Sequence, residues 1–257
     1  MFRSKKNKRI NEANRNYDNM LICEKTPFAV SESFKMLRTN LFFTATGDKC
    51  PVYAITSSYA HTGKSVIIAN TAVAYAELGK KVLVIDGDMR CPVLHRIFGK
   101  KSDRGLSELL VSGDAIESIV RDYVIATGRD GLDMITSGRI PPNPSELLSS
   151  KAMEELIAYA KENYDIVFVD MPPICEVSDA GALAALVTGY LFAVRSGVTD
   201  DRSITDALDI LEQVNAHVVG FVLNDVNPKV SGSAYGKYGK YGSKYSYRHT
   251  ANDGENN

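Results

Sequence analysis

The chain has no tryptophan and only four cysteines, and 30 Lys and Arg nearly balance 31 Asp and Glu over its 257 residues. Cys23, Cys50, Cys91 and Cys175 form no CxxC pair and no metal-ligand spacing. Four cysteines would permit a two-disulfide framework, but a chain this long supplies its own core, so reduced thiols in a cytoplasm are expected. No apolar run reaches the roughly 18 residues that a membrane span needs. The longest, Ala180 to Val194, is broken by Gly181, Thr188, Gly189 and Tyr190 and stops at Arg195. The basic N-terminus runs into Ile10-Asn11-Glu12-Ala13-Asn14, not an apolar stretch, so no signal peptide is expected. A disulfide scaffold, collagen, global disorder and an integral membrane protein are thereby set aside.

What is present is distributed unevenly. Residues 1–9 carry five bases and no acid, as do residues 228–248, leaving 20 bases against 29 acids between them. An acidic body of about nine net charges thus lies between two basic arms. Within that body, short apolar runs alternate with longer amphipathic ones. Val52–Thr56, Val82–Asp86, Asp165–Asp170, Tyr190–Val194 and Val218–Leu223 read as buried parallel strands, being almost continuously apolar. Helices are expected at Ser31–Phe43, Lys64–Leu78, Ser145–Lys161, Asp179–Val187 and Asp201–Val214, with Ser145 and Asp201 as N-caps and Gly79 closing the second. The alternation predicts an α/β fold with a doubly wound, mostly parallel sheet. It occupies residues 28–225, after a polar N-terminal arm (1–27) and before a Gly/Ser/Tyr/Lys-rich, flexible tail (226–257).

The first strand leads through Ser57-Ser58-Tyr59-Ala60-His61-Thr62-Gly63-Lys64-Ser65 into a helix. Strand, loop and Gly-Lys-Ser form the context of a P-loop, in which backbone N–H groups cradle phosphate, Lys reaches the β- and γ-phosphates and Ser takes Mg²⁺. Ser58 stands where that pattern has its first glycine, and Gly-Lys-Ser alone also occurs at ordinary helix starts. Three acids add weight: Asp86 and Asp88 after the second strand, and Asp170 after the Val167-Phe168-Val169 strand. Ligands of open α/β sheets bind outside the carboxyl ends of the strands, so the three acids and the P-loop would converge there. Arg90 is either a phosphate ligand or an ion-pair partner of Asp88, while Arg195 and Asn224 follow later strands at the same edge.

Together, VLVIDGDMRCP, YDIVFVDMPP, TSGRIPPNPSELLSS and the terminal tyrosine cluster resemble the bacterial tyrosine kinases (BY-kinases) of capsular and exopolysaccharide systems, of the short cytoplasmic type, across roughly residues 28–247. The resemblance implies a P-loop NTPase fold of the deviant Walker, partition-ATPase-like kind, using ATP and Mg²⁺ for protein-tyrosine phosphoryl transfer. It places the nucleotide on His61, Thr62, Gly63, Lys64, Ser65 and Val66, with Arg90 and Asn224 as further candidates from their places at the same edge. The metal falls to Ser65, Asp88 and Asp170, and catalysis to Lys64, Asp86, Asp88 and Asp170, with Asp86 receiving the acceptor proton. The implied acceptors are Tyr235, Tyr238, Tyr241, Tyr245 and Tyr247, phosphorylated in trans. The implied partners are a transmembrane activator or polysaccharide co-polymerase that recruits the chain to the inner membrane face, further copies in a homo-oligomeric ring, and a tyrosine phosphatase. No nucleic acid is among them.

Two departures stand out. The family's Pro-Gly-Glu before Gly-Lys-Ser is replaced by Ala60-His61-Thr62. His enters the left-handed backbone region more readily than a β-branched residue, so His61 is expected at the family's glycine position, and a His61→Gly, Thr62→Glu variant to bind ATP more tightly. The other open reading is a regulatory scaffold whose P-loop has lost activity. In Glu32, Lys35 and Arg38, which share a helix face, Lys35 replaces an arginine of the family's oligomerisation motif. A partition ATPase would carry an extra lysine where Ser57 and Ser58 stand. Read alone, the tyrosine tail suits a low-complexity adhesive, an RNA-stacking segment or a lipid-attracted arm; beside the kinase motifs, autophosphorylation is expected.

Overall fold

The computed structural model describes residues 17, 20–45 and 47–226. Seven strands form one sheet: β1 (Val52–Thr56), β2 (Val82–Asp86), β3 (Ile125–Arg129), β4 (Leu132–Ile135), β5 (Ile166–Asp170), β6 (Gly189–Arg195) and β7 (Val218–Asn224). Their order is β3-β4-β2-β5-β1-β6-β7, and every pairing is parallel except β3 with β4. Every residue of β1, β2 and β5 is buried, because side chains alternate between two covered faces. Tyr53, Ile55, Val84 and Phe168 pack beneath α1 (Phe28–Thr44) and α2 (Lys64–Ala76). Val52, Ala54, Leu83, Ile85 and Val169 face the other way, toward α7 (Lys151–Asn163) and α8 (Asp201–Gln213). Two-sided cover is why these strands read as unbroken apolar runs.

The five expected strands lie within a residue or so of their expected ends. The helices differ more. Ser145–Lys161 is split into α6 (Pro144–Leu148) and α7, since the Ser150 hydroxyl accepts the Met153 N–H and caps a new helix. Asn143, with Pro144 behind it, heads α6, so Ser145 is not the N-cap. Asp200, not Asp201, caps α8 by accepting the Ser203 N–H at 2.9 Å. The segment expected as helix Asp179–Val187 is instead a short 3₁₀ stretch, Ser178–Leu183. The antiparallel β3–β4 hairpin and the short helices α3 (Leu94–Ile97), α4 (Leu106–Val111) and α5 (Ile116–Ile119) were not foreseen. Nor is all of the N-terminal arm loosely held: Ile22 is buried, its N–H donating to Asn70 Oδ1 on α2 at 2.6 Å.

Chain order determines where a ligand fits. From β1 the chain crosses to β2 and β4, returns to β5 beside β1, and then continues to β6 and β7 on the far side. The carboxyl ends of β1, β5 and β2 therefore flank the point where the winding reverses, the usual crevice of such sheets.

Candidate active site

The P-loop corner is built first. After β1, His61 adopts φ 67° and Gly63 φ 94°, both left-handed, and the chain then enters α2. The left-handed φ favours glycine at 63, and a Cβ there would also displace the Asn224 amide that packs over it. Two side chains from the last strands hold this loop by its carbonyls. Asn224 Nδ2 donates to Thr62 O at 2.9 Å, and Arg195 Nη1 donates to His61 O at 3.2 Å. Arg195 is itself fixed by Asp225, whose Oδ2 accepts from Nε and Nη2 at 3.0 and 2.9 Å. A cleft of about 280 Å³ opens here, lined by His61, Gly63, Arg195, Asn224 and Asp225. Asn224 and Arg195 thus touch the loop itself. Val66 lies in the first turn of α2, next to Ser65.

The acidic corner lies beside it. Asp86 and Asp170 end adjacent strands in direct register, and both are fully buried. Gly87 lets β2 approach β5 this closely: a Cβ there would meet Met171 Sδ at 2.8 Å and Asp170 O at 2.9 Å. Asp88 is 7% exposed and accepts the Cys91 N–H at 3.0 Å. Lys64, also 7% exposed, faces this group from the start of α2. Burial pushes Asp170 up to about 7, while Lys64 and the Ser65 hydroxyl pull the other way. Asp88 is likewise raised by burial, against the Cys91 amide and Lys64. Asp86 stands well above the usual carboxylate range, through burial and then through its neighbours Asp170 and Asp88.

The donor set suits a hydrated magnesium ion and a polyphosphate. Both oxygens of Asp86 and of Asp170, and Thr62 Oγ1, are buried without a hydrogen-bond partner among the described residues. Buried polar atoms are nearly always paired, so a group of them at one sheet edge marks a place for a ligand. Among the described residues, no three His, Cys, Asp or Glu side chains form a metal site by themselves. Mg²⁺ rarely asks for one: it retains waters and takes one or two carboxylates plus substrate phosphates.

Arg90 is placed differently from either expectation. Its Nε and Nη2 donate to Asp179 Oδ2 and Oδ1 at 2.7 and 2.9 Å, a bidentate pair that engages Arg90 with Asp179 in place of Asp88. Burial alone would raise the Asp179 carboxyl, yet the hydrogen bonds from Arg90 and Ser145 outweigh it and hold Asp179 below the ordinary range. Within one chain, Glu32 and Lys35 pair with each other at 2.8 Å, and Arg38 Nη1 donates to Ala74 O near the end of α2. Within one chain, Arg38 is therefore turned onto its own fold. Asp179 and Ser137, whose buried Oγ has no partner just beyond β4, were missed. Ser137 lay within the TSGRIPPNPSELLSS motif, whereas nothing local marks Asp179. The terminal tyrosines lie outside the described residues.

The family profile CbiA, the CobQ/CobB/MinD/ParA nucleotide binding domain, matches residues 53–237. The tyrosine-protein kinase YwqD of Bacillus subtilis is 36% identical over 236 residues, spanning 92% of this chain and 96% of that protein. The chain belongs to the bacterial tyrosine-protein kinases. A putative tyrosine-protein kinase of the family, CapB of Staphylococcus aureus, is 32% identical over 86% of this chain and 95% of its own length. The solved kinase domain of Escherichia coli tyrosine kinase ETK superposes with a TM-score of 0.73 at 30% identity, covering 86% of each chain. The family's P-loop fold is thus the fold described above, and its carboxyl edge carries the loop and the three acids. Among the described residues, no helix of this kinase is long and apolar enough to cross a membrane.

Proposed function

We propose that this chain transfers the γ-phosphoryl group of ATP to tyrosine hydroxyls, above all those of its own tail, in trans. The observation that carries the reading is the convergence of Lys64 with Asp86, Asp88 and Asp170 at one edge of the sheet. The P-loop amides and Lys64 bind and orient the β- and γ-phosphates at the start of α2. Ser65, Asp88 and Asp170 would hold magnesium, which when bound neutralises charge developing on the phosphates. Asp86 is raised well above the ordinary carboxylate range by burial and by Asp170 and Asp88, which suits it to receive a proton. As the tyrosine oxygen bonds to the γ-phosphorus and the bond to ADP breaks, the phenolic proton passes to Asp86. The cleft beside His61 and Asn224 accommodates the base end of the nucleotide.

Tyr235, Tyr238, Tyr241, Tyr245 and Tyr247 are the proposed acceptors, each phosphate adding about −1.5 to −2 charges at pH 7. Five would reverse the sign of the basic tail, releasing it from a neighbour's acidic body. Assembly through the α1 face exchanges the Glu32–Lys35 pair and the Arg38 contact for partners on the next subunit. A membrane-anchored activator recruits the ring, a phosphatase resets it, and the cycle regulates capsular polysaccharide polymerisation and export. The kinase names that YwqD and CapB carry support the reaction. The test is to incubate the purified chain with ATP and Mg²⁺, with and without the activator's cytoplasmic segment, and map phosphotyrosine by mass spectrometry. Phosphate on the tail in wild type but not in Lys64→Ala supports the reading; nucleotide binding with no phosphotyrosine under any condition overturns it in favour of a regulatory scaffold.

A further inference from the structure

Asp179 lies outside the nucleotide site, yet it ties together segments that follow three strands of the sheet. Its carboxylate is fully buried and takes a bidentate contact from Arg90 and a hydrogen bond from the Ser145 hydroxyl. These groups come from the loop after β2, from α6 beyond β4, and from the 3₁₀ stretch beyond β5. Arg90 lies inside the tight turn that Asp88 opens by accepting the Cys91 N–H. Where Arg90 is held, the backbone of that turn is held, and with it the direction of the Asp88 carboxylate. A buried carboxylate paired this way adds little net stability, because desolvation cancels much of the attraction. Its bidentate geometry does fix orientation.

We propose that Asp179 is a positioning residue for the metal: through Arg90 it aims Asp88, and through Ser145 it couples the PPNPSELL segment to that aim. The inference rests on the magnesium–nucleotide reading above. Partners that orient a metal ligand typically change metal affinity about tenfold or more when removed. The test measures a fluorescent ADP analogue on the full chain, once with Mg²⁺ and once in EDTA, alongside thermal unfolding. Asp179→Asn should weaken Mg²⁺-dependent binding about tenfold and raise the half-saturating Mg²⁺ by a similar factor, with affinity in EDTA unchanged. Arg90→Lys, which retains charge but loses the fork, and Ser145→Ala should move the same quantity about two- to threefold.

A variant set that loses affinity equally with and without Mg²⁺ marks general damage and overturns the proposal, as does unchanged Mg²⁺ dependence in all three. Loss in EDTA for Arg90→Lys alone would assign Arg90 to the phosphates and also overturn it. If Asp179→Asn does not fold, the two milder variants decide by the same criteria. Wild type showing no Mg²⁺-dependent nucleotide binding overturns the site reading and this proposal together, whereas normal wild-type binding with insensitive variants overturns this proposal alone.

Discussion

The two corners of the site satisfy their polar groups in opposite ways. At the P-loop corner, side chains from distant strands meet backbone carbonyls: Asn224 holds Thr62 and Arg195 holds His61. At the acidic corner, Asp86 and Asp170 are fully buried in register, with no hydrogen-bond partner among the described residues. One corner is assembled by the fold itself, while the other holds like charges whose burial works against folding. The phosphate cradle should accordingly behave as structure, and the acids as groups kept for a ligand at some cost in stability.

The largest expected effect comes from the residue that serves both corners. Lys64→Ala should lower phosphotyrosine formation at least about a hundredfold, because the charge that meets the phosphates is lost. Phosphotyrosine accumulation at saturating ATP reads this out. Asp170→Asn should break the contrast from the acidic side: it abolishes Mg²⁺-dependent nucleotide binding yet stabilises the metal-free chain by about 1–2 kcal/mol at pH 8. The sign follows from linkage. Asp170 titrates near 7 in the folded chain and near 4 when unfolded, so the folded state binds the extra proton between these values. Through Asp170, stability in EDTA therefore falls as pH rises from about 4 to about 7, and the raised carboxyls of Asp86 and Asp88 act in the same direction. Urea midpoints at pH 5 and pH 8 should differ less in Asp170→Asn; an equal difference in both proteins would refute the assignment.

The same contrast explains what was legible in the residues and what was not. Parallel strands covered on both faces betray themselves as apolar runs, and the loop and acids follow from their places at strand ends. His61 was expected in the left-handed region from its chemistry, and it is there at φ 67°. Long-range pairings leave no such local mark. Arg90 and Asp179 are 89 positions apart, so their pairing carries no local mark. Arg38 likewise meets a carbonyl 36 positions away. The β3–β4 hairpin escaped because β3 is only partly buried and is interrupted by Gly128, while β4 is only four residues long. The stretch from Ser178 failed as a helix partly because Asp179, a natural cap, has its carboxylate committed to Arg90.

A smaller effect tests the P-loop corner alone. Asn224→Ala removes the hydrogen bond to Thr62 O and the group packed over Gly63. Loss of one such bond is worth about 1 kcal/mol, so nucleotide affinity should fall about fivefold. Because the fault lies in the cradle, the loss should be the same in EDTA as in Mg²⁺. A loss confined to Mg²⁺ would mean that the two corners are not separable, and titration calorimetry under both conditions decides it.

The smallest effect concerns the substitution that sets this loop apart from its family. A histidine in the left-handed region costs about 1 kcal/mol or more, which glycine would relieve. Glycine also frees the unfolded and unliganded loop, at roughly 0.5–1 kcal/mol, so most of the gain is cancelled. His61→Gly should therefore tighten ATP only about twofold. Thr62→Glu was expected to help as well, but Thr62 is 3% exposed and its carbonyl is already held by Asn224. A carboxylate there must leave the buried position or stay beside the phosphates, and either weakens the cradle. The double variant should thus bind less tightly than His61→Gly alone. Tighter binding by the double variant, measured by the same titration, would show that the loop rearranges around the introduced carboxylate and that the clamp from Asn224 is not the constraint inferred from its geometry.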